Sequence, residues 1–483
     1  MMRSPKFVWA TCLIVLVLTM SLVMYTSTQT MSVQLRFNIS PIKSAATTTT
    51  TTATTTTAAL QNTEKKEEKY ITFLPHSGFH NQRIGLINAM VLAKALDRTL
   101  LLPDINIGTA VWWRSTPASE FRLGECSSVK QRSNSICKDF KKYVPVSVES
   151  IFDLSAIHAA GVRTIQRSSM SSSYFQDVLS ASDQDIYRLD DNARYSYRIY
   201  DSKDNHDDIR TFRYRVDMED LRQRDEKVML FGSLHYTLRL ALQDPYLIWL
   251  AQHLREETSI AHPIVVRQAL NVIPLLGGPE KFVGVHLRQG DGFFKALQDE
   301  TLNTLRATLE QTNLNQEQLE LIKLQQEPLQ FVNTPLSAND EQRIAILKEI
   351  DNSSLDKTEL LTQCIAWHST ENHPRLRLIY MATDTRQPRT TLKALYDEFP
   401  CIFTLSDFPQ VIESTLTMSP MLTGNQLVDD EMALLDAKIA PLLFPMIDAE
   451  IASHGSSFIG TRKSTFSQYI NHRFNRFQKM YHN

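Results

Sequence analysis

The sharpest chemical signal in this 483-residue chain is the segment from Val285 to Asp291, an apolar strand pattern that ends in a cation, a glycine and a carboxylate. As a strand end, it places Arg288 at the carboxyl edge of a sheet, where a planar guanidinium can bind phosphate oxygens through two parallel hydrogen bonds. A fixed cation there stabilises the negative charge that develops on a departing diphosphate. Taken alone, the segment has a second interpretation that is equally good. In it, Arg288 and Asp291 form an ion pair within a turn, and His286 is a histidine of the core.

Three further segments carry polar side chains where a strand pattern stops. His76–Arg83 precedes a helical pattern, and Gly78 within it is expected to free the backbone. Asp384 follows an apolar run, and its carboxylate suits ribose hydroxyls or a base edge. A basic, hydroxyl-rich loop within 458–467 opens a helix, whose free N–H groups and dipole favour a phosphate. Separate strand ends are thus predicted to offer a cation, a carboxylate and an anion-binding helix start.

A βαβ unit positions the first of these segments. Its predicted elements are a strand at Tyr70–Leu74, a helix at Asn81–Leu96 and a strand at Thr99–Leu102. A strand, a helix and a strand within about thirty residues predict parallel pairing beneath a covering helix. The loop after the first strand then lies at the sheet edge where open α/β sheets bind ligands.

A second α/β unit begins at Lys281. The elements predicted from the middle of the chain onward are strands at Val228–Phe231, Phe282–His286, Leu376–Ala382 and Ser457–Gly460, and helices at Tyr246–Leu254 and Thr465–Phe474. The interval between the two strands of the second unit exceeds what one crossover helix needs, which predicts a helical insertion at about 296–375. Two such units predict an α/β fold of two Rossmann-like lobes, 70–265 and 266–483, that face each other across a cleft.

The N-terminal region predicts a membrane anchor and a stalk. Two basic residues in 1–6, the predicted cytoplasmic tail, precede the uncharged run Phe7–Tyr25, which is long enough to span a bilayer. Residues 26–69, with the threonine tract Thr47–Thr57, are typical of an O-glycosylated luminal stalk. We therefore expect a single-pass type II protein of the Golgi membrane, with the endoplasmic reticulum as second choice. A cleaved signal peptide is the alternative for the apolar run, and the layout also fits a cell-surface receptor.

Charge and cysteine content narrow the class of protein. A formal charge of −2, with 51 basic and 53 acidic residues spread along the chain, argues against a nucleic-acid partner. In an oxidising lumen, the four cysteines beyond the anchor could pair as Cys126–Cys137 and Cys364–Cys401. Their spacing lacks a Cys-x-x-Cys pair and histidine companions, so no metal site is predicted. The sequon at Asn352 is compatible with N-glycosylation.

Together these segments resemble the GDP-fucose protein O-fucosyltransferase family, within the superfamily of GDP-fucose-dependent fucosyltransferases. The resemblance rests on His-x-Arg-x-Gly-Asp at 286–291, Asn-Gln-Arg at 81–83 followed by a helix and Leu-Leu-Pro, Ala-Thr-Asp at 382–384, and Gly-Thr-x-x-Ser-Thr-Phe-Ser at 460–467. Segments 144–153 and 231–233 also look like the middle of that family. The first signature is shared among related fucosyltransferases, so it specifies the donor better than the acceptor.

The resemblance implies a GT-B fold, inversion at the fucose carbon and catalysis without a metal or cofactor. By position, Arg288 is expected to hold the diphosphate and assist its departure, and Asn81 to lie near the reacting centre. His286 would line the donor pocket, and Asp384 would contact the nucleoside. The other expected donor-binding residues are Gly78, Arg83, Asp291, Ser464, Thr465 and Phe466. The implied partners are GDP-fucose and a hydroxyl acceptor on a protein or a glycan.

The first motif departs from the more usual Gly-Gly-Phe-Asn-Asn-Gln-Arg form at Ser77 and His80. Because this loop contains no Asp or Glu, no general base is assigned. His76 and His80 are of the right residue type for a base near neutral pH, but we expect them to be solvated loop histidines.

Two other functions remain open from the sequence. A metal-dependent GT-A transferase would use Asp183-Gln-Asp185, although no apolar run precedes that motif. A stalked lectin-like protein, or a catalytically inactive protein that binds a sugar nucleotide, would share the anchor, the stalk and the binding loops.

Overall fold

The structure, a computed structural model, describes residues 67–126, 136–137, 143–290, 292–310, 335–368, 373–417 and 439–482. Residues Lys66–Asn483 form one compact unit. The predicted tail, the anchor, the stalk up to residue 66 and the predicted donor contact Asp291 lie outside the described residues. Among the residues that are described, no helix is both long and apolar enough to cross a bilayer.

The strands are short. In chain order they are β1 (Tyr70–Phe73), β2 (Thr99–Leu102), β3 (Ile105–Asn106), β4 (Pro145–Val146), β5 (Thr164–Gln166), β6 (Ile186–Leu189), β7 (Tyr197–Tyr200), β8 (Tyr214–Asp217), β9 (Val228–Phe231), β10 (Leu240–Ala241), β11 (Val283–Leu287), β12 (Ile379–Thr383), β13 (Ile402–Phe403) and β14 (Ser457–Gly460).

The helices range from single turns to long amphipathic segments. In chain order they are α1 (Phe79–Ala95), α2 (Thr116–Glu125), α3 (Val148–Ile151), α4 (Ser155–Ala159), α5 (Tyr174–Asp177), α6 (Met218–Arg222), α7 (Pro245–Glu257), α8 (Pro263–Val272), α9 (Gly292–Ala296), α10 (Gln298–Glu310), α11 (Ala338–Ser353), α12 (Thr358–Trp367), α13 (Pro388–Thr391), α14 (Lys393–Glu398), α15 (Pro409–Thr417), α16 (Ala440–Ser453) and α17 (Thr465–His482).

Two parallel sheets carry the fold. The first has the strand order β5-β2-β1-β9-β6 and the second has the order β13-β12-β11-β14. Strands β2, β9 and β11 are buried along their whole length, and their near-continuous apolar sequences reflect helix cover on both faces of a parallel sheet. The parallel pairing of Tyr70 with Thr99 confirms the predicted βαβ unit. A small sheet with the order β10-β7-β8 and the ribbon β3-β4 were not predicted.

Most element boundaries differ from the predicted ones by a few residues. Helix α1 begins at Phe79, two residues before the predicted start, and α17 continues to His482, beyond the predicted end at Phe474. Strand β12 begins at Ile379 and not at Leu376, because Pro374–Leu376 form a 3-10 turn. Proline lacks a backbone donor, so the strand begins only beyond this turn.

The predicted insertion is helical over its described residues. It contains α10, α11 and α12, while its central part, 311–334, lies outside the described residues. Arg375 donates two hydrogen bonds to the buried carboxylate of Glu310 at 2.9 and 2.6 Å, which fixes the end of α10 next to the start of β12. A disulfide between Cys364 and Cys401 joins α12 to the residue that precedes the strand β13.

Both disulfides that the cysteine spacing allowed are formed, the second being Cys126–Cys137. The largest apolar cluster includes Ile71 from β1 and Tyr380 from β12, so the two sheets contribute to one continuous core. Within it, Gly284 of β11 lies against the carbonyl of Ala452 in α16, where a Cβ atom would overlap that oxygen. The predicted lobe boundary between residues 265 and 266 stays a prediction.

Candidate functional site

Three strands of the second sheet end side by side. In the parallel register, His286 of β11 is paired with Ala382 of β12 on one side and with Gly460 of β14 on the other. The residues that follow these strands therefore meet at one edge of the sheet. This edge brings together Arg288, Asp384 and the loop that leads into α17, as the sequence predicts.

Arg288 is held at this edge through its backbone. Its N–H donates to Thr461 Oγ1 at 2.9 Å, and the same hydroxyl donates to the carbonyl of His286 at 2.8 Å. Thr461 therefore ties the loop after β14 to the end of β11. The Arg288 guanidinium lies 4.5 Å from the centre of the Phe294 ring and is only partly buried, so it can meet a ligand at the edge.

Asp384 shapes the turn that follows Arg288. Its carboxylate accepts hydrogen bonds from the backbone N–H groups of Gln289, at 2.9 Å, and Gly290, at 3.0 Å. A Cβ atom on Gly290 would lie 2.9 Å from Asp384 Oδ2, so the close approach requires a glycine. The carboxylate that organises this turn thus comes from the neighbouring strand. The predicted contact of Asp384 with a nucleoside stays a prediction.

The start of α17 has the features of an anion-binding helix terminus. Ser464 is buried, and its hydroxyl accepts a hydrogen bond from the Ser467 N–H at 3.3 Å, which caps the helix. Lys463, with a backbone φ of 62°, places its ammonium 5.0 Å from the centre of the Phe293 ring. A helix N-terminus beside Arg288 favours negative charge at this edge.

Phe466 joins the second sheet to the loop after β1. Its ring stacks on His80 at 4.6 Å and meets His286 edge-on at 4.6 Å. The His80 ring is also 4.9 Å from Tyr469, so it lies between two aromatic rings of α17. Because Asn81 directly follows His80, this contact brings the predicted reacting-centre residue near the edge that carries Arg288.

The histidines of the site are neutral. Burial, reinforced by the charge of Arg288, lowers the pKa of His286 to about 3, and His286 Nδ1 is hydrogen-bonded to Ser467 Oγ at 2.6 Å. Burial, reinforced by electrostatic interactions with Arg83, His286 and Arg288, holds the pKa of His80 well below its usual value. Both rings are therefore uncharged near neutral pH.

The expectation that His76 and His80 are solvated loop histidines is wrong. His76 is buried, and its two ring nitrogens are hydrogen-bonded to Ser77 Oγ at 2.8 Å and Ser233 Oγ at 2.7 Å. Burial, reinforced by His235 and Arg239, lowers the pKa of His76 to about 3. The packing of α1 against later parts of the chain buries His76 and places the His80 ring against Phe466 and Tyr469, which a local sequence pattern does not reveal.

The expectation that Gly78 frees the backbone is also wrong. Gly78 has an ordinary extended conformation with φ −74°, whereas Ser77 has φ 70°, in the left-handed region that favours glycine. Ser77 stands at one of the two positions where the chain departs from the more usual form of the motif. The unusual backbone is thus present here without the glycine.

Arg83 is part of the helix packing. Its Nε donates to the carbonyl of Thr258 at 2.9 Å and its Nη2 donates to that of Arg255 at 2.5 Å, both at the C-terminal end of α7. Its guanidinium lies 4.8 Å from the centre of the Tyr469 ring, and burial lowers its pKa to about 10. These contacts give Arg83 a structural role, and its predicted donor contact stays a prediction.

Ser233 and Thr461 lie within segments that carry the family resemblance but were given no role from the sequence, and His235 was missed altogether. Ser233 and His235 follow β9, the neighbour of β1 in the first sheet, and the His235 ring contacts the backbone of Asn81. The glycine at position 232 is the sequence feature that could have pointed to this region. A Cβ atom on Gly232 would lie 2.7 Å from the backbone nitrogen of Asp191. The backbone at Gly232 therefore passes close to the backbone at Asp191. A single glycine in a sequence only suggests such a close approach.

The motif Asp183-Gln-Asp185 has a structural use. It forms a 3-10 turn before β6, in which Asp185 accepts hydrogen bonds from the backbone N–H and hydroxyl of Ser182 at 2.8 and 2.6 Å. It therefore lies at the amino end of a strand, opposite the edge that carries the site. Within the ranges that the structure covers, no group of three His, Cys, Asp or Glu side chains is placed to hold a metal ion.

Comparisons with known proteins point to one family. The family model described as GDP-fucose protein O-fucosyltransferase matches residues 70–475. O-fucosyltransferase 30 of Arabidopsis thaliana is 31% identical over 142 residues, which cover 28% of this chain and only 25% of that relative. Crystal structures of POFUT1 with GDP-fucose and in the apo form align over 85% of this chain and 95% of theirs. Their TM-scores are 0.36, with 12% and 13% identity respectively.

Proposed function

The chain belongs to the GDP-fucose protein O-fucosyltransferase family of glycosyltransferases, and on this premise we propose that it is an inverting, metal-independent enzyme that transfers fucose from GDP-fucose to a hydroxyl acceptor. We further propose a GT-B arrangement, in which the second sheet binds the donor and the first sheet faces the acceptor. The two parallel sheets, each with polar residues at its carboxyl edge, support this arrangement.

One observation carries the proposal: the turn that bears Arg288 is fixed from both neighbouring strand ends. Thr461 binds the backbone of Arg288, and Asp384 binds the next two backbone N–H groups. A cation fixed in this way does not need to reorganise when charge develops. It therefore suits a reaction in which a diphosphate leaves.

In the proposed reaction, an acceptor oxygen forms a bond to the anomeric carbon of fucose while the bond from that carbon to the phosphate oxygen breaks. The electron pair of the broken bond remains on GDP, and the proton of the acceptor hydroxyl passes to water. Arg288 and the N-terminus of α17 stabilise the charge that develops on the diphosphate. Attack from the face opposite GDP inverts the configuration.

His286 would act by position and not by charge. Because its ring is neutral and bound to Ser467, it can line the donor pocket without competing with Arg288 for the phosphates. The two cationic features beside it support catalysis without a metal, since they supply positive charge where a divalent ion would otherwise act.

The test uses the purified full-length chain with GDP-fucose. We expect Arg288→Ala to lower donor hydrolysis or transfer by about a hundredfold to a thousandfold, the usual effect of removing a group that stabilises transition-state charge. Arg267→Ala is the matched control, because Arg267 is exposed on α8. A chelator is expected to leave the rate unchanged.

The outcomes separate the alternatives. No GDP binding in calorimetry would exclude the donor site, and equal rates for the Arg288 variant and the wild type would remove only the role of Arg288. Binding of GDP-fucose without turnover would instead indicate an inactive sugar-nucleotide-binding protein. Loss of activity with a chelator would contradict metal independence.

The proposed location is the Golgi membrane, with the compact unit in the lumen. The uncharged run Phe7–Tyr25 and the threonine-rich stalk support it, as do two disulfides, which persist in oxidising compartments. Protease protection of the compact unit in intact microsomes, together with colocalisation with a Golgi marker, would test it.

A further inference from the structure

The carboxyl edge of the first sheet carries polar atoms that the proposed donor site does not use. Among the atoms there that are buried and have no hydrogen-bond partner within the described part of the chain are Asn81 Oδ1 and His235 Nδ1. Asn81 lies in the first turn of α1, and His235 follows β9, the strand next to β1 in the sheet. Buried polar atoms in native proteins are nearly always paired, so such a group marks a place that a ligand can complete.

The loop 107–115 crosses this edge and is fixed to it. At its start, Asn106 exchanges two hydrogen bonds with Gln82 of α1: its N–H donates to Oε1 at 2.8 Å, and its carbonyl accepts from Nε2 at 3.0 Å. In the middle of the loop, the carbonyl of Val111 accepts from the Ser77 N–H at 2.5 Å. The loop is therefore attached to the segment that leads to Asn81.

Trp112 is the most accessible part of this attachment. It directly follows Val111, and its side chain is 69% exposed. An indole ring is a large apolar surface. When it is exposed on a fixed loop, its burial against a ligand removes apolar area from water, which favours binding. Because Val111 is paired with Ser77, the backbone at Trp112 lies next to the segment that leads to Asn81.

The segment after β9 also shows strain. Tyr236, which follows His235, has φ 99°, a region that bulky residues rarely occupy. The side-chain amide of Asn88 holds this conformation by donating to the carbonyls of Leu234, at 2.8 Å, and Tyr236, at 3.0 Å. Strain that the surrounding structure maintains in this way is concentrated at ligand sites.

These features match a sugar ring. A pyranose offers one face rich in C–H groups, which an indole covers, and hydroxyls that both donate and accept hydrogen bonds. Such hydroxyls can satisfy an amide oxygen and an imidazole nitrogen together. A peptide acceptor is commonly bound by pairing with a free strand edge, but β1 and β9 lie inside the first sheet and are paired on both sides.

We propose that this edge is an acceptor subsite for the terminal sugar of a glycan, with Trp112 covering the ring and Asn81 and His235 binding its hydroxyls. The proposal rests on the proposed fucosyl transfer, which defines what an acceptor is. It adds that the acceptor is a carbohydrate and that Trp112 determines its affinity.

Saturation-transfer NMR on the full-length chain with GDP tests this proposal. The probes are the methyl glycosides of galactose, glucose, mannose, xylose and galacturonic acid, and a peptide with the sequence of residues 44–63 of this chain. We expect at least one glycoside to bind and its Kd to rise about tenfold in Trp112→Ala, which corresponds to about 1.4 kcal/mol. Trp249→Ala is the matched control, because Trp249 is 51% exposed on α7, where its ring stacks on His253.

Each outcome decides the question. Binding of no glycoside, binding of the peptide alone, or equal Kd values for the Trp112 variant and the control would each overturn the proposal. Equal urea midpoints for the two variants would exclude unfolding as the cause of weaker binding. Glycoside binding without GDP-fucose turnover would contradict the proposed function alone, whereas turnover without glycoside binding would contradict only this inference.

Discussion

At the carboxyl edge of the second sheet, side chains that follow two strands hydrogen-bond to the turn after the third strand, whereas the edge of the first sheet has polar atoms without partners among the described residues. Thr461 and Asp384 fix the turn that carries Arg288, and Ser467 fixes His286. At the first sheet, Asn81 Oδ1 and His235 Nδ1 have no partner among the described residues. The turn that carries Arg288 is thus fixed before a ligand arrives, although Gln289 Nε2 within it also has no partner in the described part of the chain. At the first edge, Asn81 and His235 leave hydrogen bonds for a ligand to make.

This contrast suggests different roles for hydrogen bonds at the two edges. A fixed turn stabilises the transition state, because the cation is already in place when negative charge develops on the diphosphate. Unpaired buried atoms cost about 1–3 kcal/mol each until they are satisfied, so they favour the bound state of whatever pairs with them. The following changes test these two roles, beginning with the largest expected effect after Arg288 itself.

Asp384→Asn is expected to lower GDP-fucose hydrolysis about tenfold to a hundredfold. An amide has one acceptor oxygen, so its NH₂ group would face one of the backbone N–H groups of Gln289 and Gly290 that Asp384 now binds. The loss corresponds to about 1–3 kcal/mol. The turnover number at saturating donor measures it. Asp397→Asn, at an exposed pair with Lys393, is the control, and a rate within about twofold of wild type would contradict the role given to Asp384.

Gly290→Ala is expected to lower the same rate by about threefold to tenfold. The new Cβ atom would lie 2.9 Å from Asp384 Oδ2, and the carboxylate cannot move without losing its two backbone bonds. Gly78→Ala is a matched change at the first edge, where a Cβ atom would meet nothing within 4 Å. Its free energy of unfolding should change by less than about 0.5 kcal/mol, because lower unfolded-state entropy offsets the weaker helix start. If Gly78→Ala lowered the rate of GDP-fucose hydrolysis as much as Gly290→Ala, the contrast between the two edges would be contradicted.

The free energy of unfolding should fall gradually as the pH is lowered, with one contributing histidine at each edge. The pKa of His76 and that of His286 are both lowered by burial, from 6.5 to about 3. Below pH 6.5 the unfolded chain binds protons that the folded chain accepts only near pH 3, so the free energy of unfolding falls as the pH falls through this window. Each histidine contributes a slope of at most about 1.4 kcal/mol per pH unit.

Urea titrations between neutral pH and about pH 5 measure this slope. We expect His76→Gln and His286→Gln each to make it shallower, because glutamine keeps hydrogen-bonding groups and does not titrate. An unchanged slope in both variants would show that these rings are protonated equally in the folded and unfolded chains.

Much of the fold could be predicted because parallel strands buried on both faces have continuous apolar sequences. This holds for β1, β2, β9 and β11, all of which the sequence analysis placed within a few residues. Short strands such as β3 and β10 were missed, since two residues carry no period. The start of β12 was misplaced because the apolar residues of a 3-10 turn resemble a strand.

The sequence alone determined the family resemblance, the position of Arg288 at a strand end and the pairs of cysteines that could join. These follow from local runs and short spacings. The tertiary structure alone decided that His80 lies between Phe466 and Tyr469, and that Asp384 binds the turn after Arg288. It also decided that Arg83 binds the carbonyl of Thr258, 175 residues further along the chain. Burial and hydrogen-bond partners come from residues far apart in the sequence, and no local pattern records which of them will meet.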